Sequence, residues 1–375
     1  MRTTLTARRG RAVRVLAVTA ATALVLAACN GNDVDDDIDE DIDETDDTED
    51  EVDDVDTDEE AEDVDVDDEE ADDAEAAETD DERPEFLTLA TGSTGGTYFP
   101  LGGAIAGVWN DNIEDLQVGT QSSGASVENL NLLAAGEVDL IMAVNGVAAD
   151  AVAGEGEFDE ALDIAFMGNI YAEVTQIVAN ADSGIESIAD MEGQRVAIGP
   201  PGSGTEVIAR DILEAEGIDP DNDIDAFGEA FGDAADGLRD GQIDAIFAIL
   251  ALPAGSIEEV ATGTDLNYIP IEGDLLDSLL DADPTLSSID VEADTYPGQD
   301  DEVTWVTNWA TLYAQPELNE EVAYDLVSTM YEQQESIADA SAVAEQIQTD
   351  TALEGLSDIP MHPGAERYFD EVGAE

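Results

Sequence analysis

Apolar runs alternate with glycine-rich stretches after residue 85, and this pattern divides the chain into two similar units. In the first unit, the apolar residues 86–90 precede the glycine-rich stretch 92–103 and a helical pattern. In the second, residues 195–198 precede the glycine-rich stretch 199–204 and another helical pattern. Each succession is typical of a strand, a tight turn and a helix. The pattern therefore predicts two α/β units.

A second pair of matching segments places the two units in register. Residues 134–144 (AAGEVDLIMAV) align without gaps to residues 239–249 (RDGQIDAIFAI), with Asp139 opposite Asp244. Each segment ends a helical pattern at a glycine and starts a buried strand. Two copies of one α/β unit predict two similar lobes.

Two long β-rich stretches, residues 162–185 and 302–319, predict the connections between the lobes. Two crossings between two α/β lobes make a hinged clamshell that can enclose a ligand in its cleft. The predicted first lobe comprises residues 86–178 and 305–375, and the second comprises residues 179–304. The tail predicts helices over residues 320–336, 341–353 and 365–372.

Residues 1–28 predict an export signal. Five arginines precede residue 15, residues 15–27 are apolar but too few for a comfortable membrane span, and the run LAAC closes the segment at Cys29. This ending resembles the lipobox of prokaryotic lipoproteins, in which the Cys is acylated and becomes the mature N terminus. The alternative is a plain secretory signal with an incidental Cys. The resemblance predicts a lipid anchor at Cys29 on the extracytoplasmic face of the cell membrane.

Residues 29–85 predict an acidic, disordered tether. Between residues 33 and 82, 34 of 50 residues are Asp or Glu, and none is Gly, Pro or aromatic. Such a segment cannot bury enough apolar area to offset its ordering entropy, and its charges repel one another. Fully extended, it would span on the order of 150 Å. The Asp-rich runs lack the Gly of a calcium-binding EF-hand loop, so no metal site is predicted.

The charge of the chain changes which partners and settings are expected. It has 94 acidic and 10 basic residues, and every basic residue is Arg. Nucleic acid is a poor partner, because phosphate binding needs clustered Lys and Arg. A single-sign surface of this size repels itself at low salt and is tolerated where ions screen within about 3 Å at 1 M. We expect adaptation to a saline exterior.

Three glycine-rich loops open predicted helices and are the candidate chemistry of the chain. They are residues 95–98 in the first lobe, residues 122–126 before the next helix, and residues 202–205 in the second lobe. The N–H groups at a helix start attract carboxylate or phosphate without any Lys. Ordinary turn and N-cap chemistry is the alternative for each loop. P-loop and dinucleotide motifs are both missing, so no cofactor is predicted.

Several motifs resemble one known family. TGSTGGTYFPLGG, SSGASVENLNLLAAGEVDL, GQRVAIGPPGSGTEV, LRDGQIDAIF and IPMHPGAERYFDEVG are similar, in this order, to the TAXI family of solute-binding proteins from TRAP transporters. The resemblance implies a type II periplasmic-binding-protein fold. It also implies capture of a small organic anion, of the glutamate or C4/C5 dicarboxylate class, for a permease driven by an ion gradient. The receptor is expected to act as a monomer.

The resemblance, carried over residue by residue, also implies the ligand-binding positions. They are Gly95, Gly96, Thr97, Tyr98, Ser123, Gly124, Ser126, Tyr171, Gly202, Ser203, Gly204 and Thr205. The chain departs from the family where Ala251-Leu252-Pro253 replaces a Gly-x-Pro sequence, which affects the expected pocket wall.

Other polar and aromatic residues are predicted to be structural. Asp139 and Asp244 occupy equivalent strand starts, which favours a structural role over acid/base catalysis. His362, the only His, is expected to fix the C-terminal helix. Arg195 is expected in packing or a surface ion pair, with a ligand carboxylate as the alternative. The core is the expected place of Trp305 and Trp309.

Two rival functions remain open at this point. The same clamshell could report a solute to a membrane signalling protein. A lipid-anchored secreted hydrolase could use two of the many carboxylates. No combination of Cys, Ser, His and Lys typical of a nucleophilic site is present, so we predict a receptor rather than an enzyme.

Overall fold

The computed structural model describes residues 83–374. The predictions for the signal peptide, for Cys29 and for nearly all of the tether lie outside the described residues. Within the described part of the chain, no helix is both long enough and apolar enough to span a bilayer.

The first lobe begins with three strands and three helices in strict alternation. Strands β1, β2 and β3 run parallel, with β1 between the other two. The elements are β1 (Phe86–Ala90), α1 (Tyr98–Asn112), β2 (Gln117–Gln121), α2 (Ser126–Ala134), β3 (Leu140–Val144) and α3 (Asn145–Ala153).

The second lobe repeats this order. Two crossing strands separate it from the first lobe in the sheet. One of them precedes the second lobe in the chain, so the lobe's own strands are numbered from β5. Strand β5 pairs in parallel with both β6 and β7, as β1 does with β2 and β3. The elements are β5 (Arg195–Ala197), α4 (Gly204–Glu216), β6 (Asp225–Phe227), α5 (Phe231–Arg239), β7 (Ala245–Leu250) and α6 (Gly255–Gly263). The internal repeat predicted from the sequence is confirmed.

Two long antiparallel strands connect the lobes. They are β4 (Ala165–Asn180) and β10 (Val303–Ala314), and both fall within the predicted connecting stretches. Strand β10 pairs with β3 and β4 pairs with β7, so the sheet order is β2-β1-β3-β10-β4-β7-β5-β6. Strands β8 (Leu266–Tyr268) and β9 (Ser287–Val291) add to β4 and β10, and α7 (Gly273–Ala282) precedes β9. The predicted fold class, two α/β units joined by two crossing segments, is confirmed.

The C-terminal region is helical only in part. It contains α8 (Glu320–Glu332), α9 (Gln334–Ala338), a 3₁₀ turn at Ala342–Gln346 and α10 (Pro363–Val372). The predicted helix over residues 341–353 is therefore wrong beyond its first turn. The side-chain amide of Asn169 in β4 donates to the carbonyls of Thr351 and Glu354. The backbone N–H of Asn169 donates to the Ala352 carbonyl. These carbonyls bind the crossing strand, and the Thr351 carbonyl also accepts from Glu354 N–H in a single turn that does not continue as a helix.

The apolar positions of these elements form one extensive core. Strands β3 and β7 are buried at every position, as their continuous apolar runs predict for sheets covered on both faces. The largest side chains with almost no exposed surface include Trp109, Trp305, Tyr171 and Phe166. Because β1, β2 and β5 each place residues in this core, the loops that lead to α1, α2 and α4 start from buried strands.

Candidate functional site

A cavity lies between the two lobes, at the carboxyl ends of their parallel strands. The cavity volume is about 70 Å³, several times the roughly 10–15 Å³ that one water needs. The cavity can therefore hold a small solute or several waters. Its wall comes from both lobes and from β4, and it includes Gly96, Thr97, Tyr98, Ser126, Glu173, Ser203, Gly204, Thr205, Phe231 and Phe247.

The loop after β1 brings the start of α1 to this cavity. Leu101 N–H already bonds to the Thr97 carbonyl. The backbone N–H groups of Tyr98 and Phe99 have no acceptor among residues 83–374. Two donors at a helix start thus remain free, as expected for the first turn of a helix.

The loop after β2 contributes the start of α2 in the same way. The N–H groups of Ser126 and Val127 have no acceptor within the described range. The next one, Glu128 N–H, donates to the Gly202 carbonyl of the second lobe at 3.1 Å. The first turn of α2 therefore serves both the cavity and the contact between the lobes.

The loop after β5 provides the third helix start. Ser203 is the N-cap of α4, and its Oγ accepts from Glu206 N–H at 3.0 Å. The N–H groups of Gly204 and Thr205 bind no acceptor in the described part of the chain, and both residues line the cavity. Each such end carries partial positive charge, which stabilises a nearby anion by about 0.3–1 kcal/mol.

No arginine of residues 83–374 is placed to bind an anion in this cavity. All five arginines among residues 83–374 form ion pairs with Asp or Glu, and none lines the cavity. An anionic ligand would therefore meet backbone N–H groups and hydroxyls.

Two glycines allow the lobes to approach closely. A Cβ on Gly204 would lie 2.9 Å from Ser126 Oγ and 3.0 Å from a Val144 methyl group, both in the first lobe. A Cβ on Gly95 would lie 2.9 Å from the backbone nitrogen of Gly232 in the second. By contrast, Gly96 has room for a Cβ, with its nearest neighbour at 3.5 Å.

Eight of the twelve predicted ligand-binding residues line the cavity. Of the other four, Gly95 and Gly202 lie where the lobes meet. Ser123 Oγ bonds to Asn129 Oδ1 at 2.6 Å and to the Thr91 carbonyl. Tyr171 is fully buried behind the wall.

Glu173 is a buried acidic cavity residue that the sequence analysis did not identify. It lies on β4, is 3% exposed, and accepts hydrogen bonds from the hydroxyls of Tyr98 (2.7 Å) and Tyr171 (2.9 Å). Burial raises its pKa to about 7, although both tyrosines oppose this shift. In the sequence, the feature that could have identified Glu173 is that it is the single acidic residue in an otherwise apolar and neutral strand.

The residue Ala251, where the sequence departs from the family pattern, contacts the site directly. Its N–H donates to Thr97 Oγ1 at 3.2 Å, which links the end of β7 to the start of α1. The side-chain amide of Gln176 donates to the carbonyls of Leu250 and Ala251. This segment is therefore held from both sides.

The remaining predicted residues have structural contacts. Arg195 pairs with Asp244 at 2.5 Å and lies outside the cavity wall. His362 caps α10, because its Nδ1 accepts from Gly364 N–H and its Nε2 contacts the Leu318 carbonyl. Trp305 lies in the core as predicted, whereas Trp309 is partly exposed. Among residues 83–374 no group of three or more His, Cys, Asp or Glu side chains is placed to hold a metal.

The chain belongs to the NMT1-like family, whose model matches residues 89–373. Solved structures of binding proteins are similar at low identity. PhnD1 from Prochlorococcus marinus in complex with methylphosphonate is 10% identical with a TM-score of 0.49, over 78% of this chain and 100% of that one. The alkanesulfonate-binding protein SsuA from Xanthomonas axonopodis pv. citri bound to MOPS is 15% identical with a TM-score of 0.41, over 71% and 84%. Identities this low carry no information on the ligand of this chain.

Proposed function

We propose that this protein is an extracytoplasmic solute receptor for a membrane transporter. It captures a small organic anion, of the glutamate or C4/C5 dicarboxylate class, and delivers it to a TRAP-type permease driven by an ion gradient. Binding without chemical conversion is its whole task. The TAXI-like motifs support the permease assignment, and membership of the NMT1-like family is compatible with it.

The observation that carries the proposal is the convergence of three helix starts on one cavity between two lobes. The free N–H groups lie at the starts of α1 and α2 in the first lobe and at the start of α4 in the second. An anion held by all three would therefore favour contact between the lobes, and closure on a solute is how a clamshell receptor presents its cargo. Backbone donors explain how so acidic a chain can bind an anion.

The location of the receptor follows from the leader and the tether. Acylation at Cys29 would anchor the chain to the membrane, and the acidic segment would hold the lobes away from the surface. The anchored receptor would remain near its permease while moving around it. Metabolic labelling with a fatty-acid analogue tests this step, and a Cys29→Ser chain should take up no label.

Thermal-shift screening of the purified protein in molar salt tests the ligand class. C4 and C5 dicarboxylates, acidic amino acids and neutral sugars form the panel. We expect at least one anion to raise the melting temperature, because a ligand that binds only the folded state stabilises it by about 2.7 kcal/mol at 100 times its Kd. Stabilisation by a neutral sugar alone would contradict the helix-end argument. Turnover of the bound compound would contradict the receptor assignment.

A further inference from the structure

Glu173 is an acidic residue in a cavity that the proposed function assigns to an anion. Glu173 lines the cavity between the helix starts and is almost completely buried. None of the five arginines among residues 83–374 reaches it, because each is paired elsewhere. A buried carboxylate without a counterion is costly. Beyond the two tyrosine hydroxyls, the cost is removed either by protonation of the carboxyl or by a cationic group that the ligand brings.

The hydroxyls around Glu173 are arranged to donate toward it. The Tyr98 hydroxyl donates to one carboxylate oxygen of Glu173 at 2.7 Å. The Tyr171 hydroxyl donates to the other carboxylate oxygen at 2.9 Å.

Each tyrosine hydroxyl has a single proton, and both protons are directed toward Glu173. This polarity fits a carboxylate that accepts. Each carboxylate oxygen receives one tyrosine hydrogen bond and keeps a further acceptor position. The free positions can take N–H donors from a ligand.

We propose that Glu173 binds the ammonium group of the ligand, so that the cleft selects zwitterionic amino acids over dicarboxylates that lack an amino group. This inference rests on the proposed receptor function and narrows its ligand class. The ligand carboxylate would meet the free N–H groups of α1, α2 and α4. Tyr98 connects the two halves of this arrangement, because its N–H lies at the start of α1 and its hydroxyl contacts Glu173.

The pH dependence of binding has opposite signs for the two ligand classes. With a Glu173 pKa of about 7, the empty cleft holds a mixture of carboxylic acid and carboxylate near neutral pH. An ammonium group requires the carboxylate, so affinity should rise from pH 6 to pH 8 and binding should release a proton. A dicarboxylate favours the protonated acid, so its affinity should fall over the same range.

Other groups facing Glu173 do not reverse this sign. Tyr98 from α1 and Tyr171 from β4 have pKa values raised well above the usual range by burial, so both stay neutral. Thr307 from β10 contacts the Glu173 carbonyl through a hydroxyl. Glu229, from the loop before α5, also lines the cavity but is exposed.

Titration calorimetry of the whole protein at pH 6, 7 and 8 in molar salt tests the inference. The probes are the common L-amino acids, glutarate and 2-oxoglutarate, so that L-glutamate and glutarate differ only in the amino group. We expect an amino acid to bind with an affinity that rises with pH, and glutarate to bind at least roughly tenfold more weakly than L-glutamate if L-glutamate is bound. Binding of dicarboxylates only, or affinity that falls from pH 6 to pH 8, would overturn the role of Glu173 and leave the anion receptor intact. Absence of binding by every probe would overturn both.

Glu173→Gln provides an independent readout. It keeps the shape but removes the charge, so amino-acid affinity should fall about 10- to 100-fold and lose its pH dependence, as expected for a lost hydrogen bond to a charged group. Glu335→Gln, an exposed carboxyl on α9, is the matched control and should bind as the unchanged protein does. Unchanged or tighter amino-acid binding by a folded Glu173→Gln chain would overturn the inference. If this variant does not fold, the pH series on the unchanged protein still tests whether Glu173 binds the ammonium group.

Discussion

Asp139 and Asp244 form the same pair of contacts in the two lobes. The Asp139 carboxylate accepts from Thr88 N–H at the start of the sheet pairing, and its own N–H donates to the Thr88 carbonyl. Asp244 makes both contacts with Arg195 and adds the side-chain ion pair. Two carboxylates in equivalent positions thus join the first and third strands of their lobes, which is the structural role that the sequence analysis favoured.

Removing either carboxylate should destabilise the fold. Asp139→Ala should lower the free energy of unfolding by about 1–3 kcal/mol, the typical cost of leaving a hydrogen-bonding partner unsatisfied. Asp244→Ala should cost more, because Arg195 loses its partner as well. Chemical denaturation at neutral pH measures both changes.

The effect of Asp244 should also depend on pH with a definite sign. Its hydrogen bonds from Arg195 hold the pKa of Asp244 below the usual value of 3.8. The stabilisation is therefore present above the unfolded pKa, about 4, and is lost as pH falls through the lower folded pKa. The difference between the parent protein and Asp244→Asn should shrink below pH 4. A difference that grows in acid would contradict the ion-pair account.

The starts of α1, α2 and α4 are the elements on which the proposed ligand binding depends. Their positions were predicted from glycine, Ser and Thr following apolar strands, because strand and cap signals are local. Residues 341–353 show the limit of such signals. There a helical pattern was overridden by the Asn169 amide from a strand more than 150 residues away, through contacts that span 182 and 185 positions.

Substitution at the start of α4 should impair binding more than folding. In Gly204→Val the new side chain would meet Ser126 and Val144 of the first lobe, so the closed arrangement would be overpacked. Overpacking costs about 1–3 kcal/mol, which corresponds to a roughly 10- to 100-fold loss of affinity. Calorimetry with the solute identified by the screen measures this loss.

Gly103→Ala in α1 is the matched control for that substitution. Nothing lies within 4 Å of a Cβ at Gly103, and the site is exposed. Affinity should be unchanged, and the helix should gain up to about 1 kcal/mol from the better helix former. Equal loss of affinity in both variants would show that the effect at Gly204 is not steric contact between the lobes.

The charge of the whole molecule predicts stability that depends strongly on salt. The formal net charge is −84, and the few arginines of residues 83–374 are already engaged in ion pairs. Screening should relieve the repulsion that remains. Between about 0.1 M and 2 M KCl, the melting temperature should rise on the order of 10 °C, since 1 kcal/mol corresponds to about 2–4 °C in a domain of this size.

Calorimetry in KCl, with sucrose at matched osmolality, separates screening from general exclusion effects. Sucrose also favours the compact state but screens no charge, so it should raise the melting temperature less. A melting temperature indifferent to KCl would contradict adaptation to a saline exterior.

The sequence by itself determined the repeated α/β unit, the two crossing segments and the glycine-rich helix starts. These features depend on hydrophobic period, turn residues and caps, which act over a few neighbouring positions. Only the tertiary structure decided that Glu173 lies in the cleft, that Ser123 turns away from it and that Gly95 meets Gly232. The contacts responsible join distant positions, as Tyr98 and Glu173 are 75 residues apart. Local pattern thus determines the elements, and packing between them determines which side chains a ligand can reach.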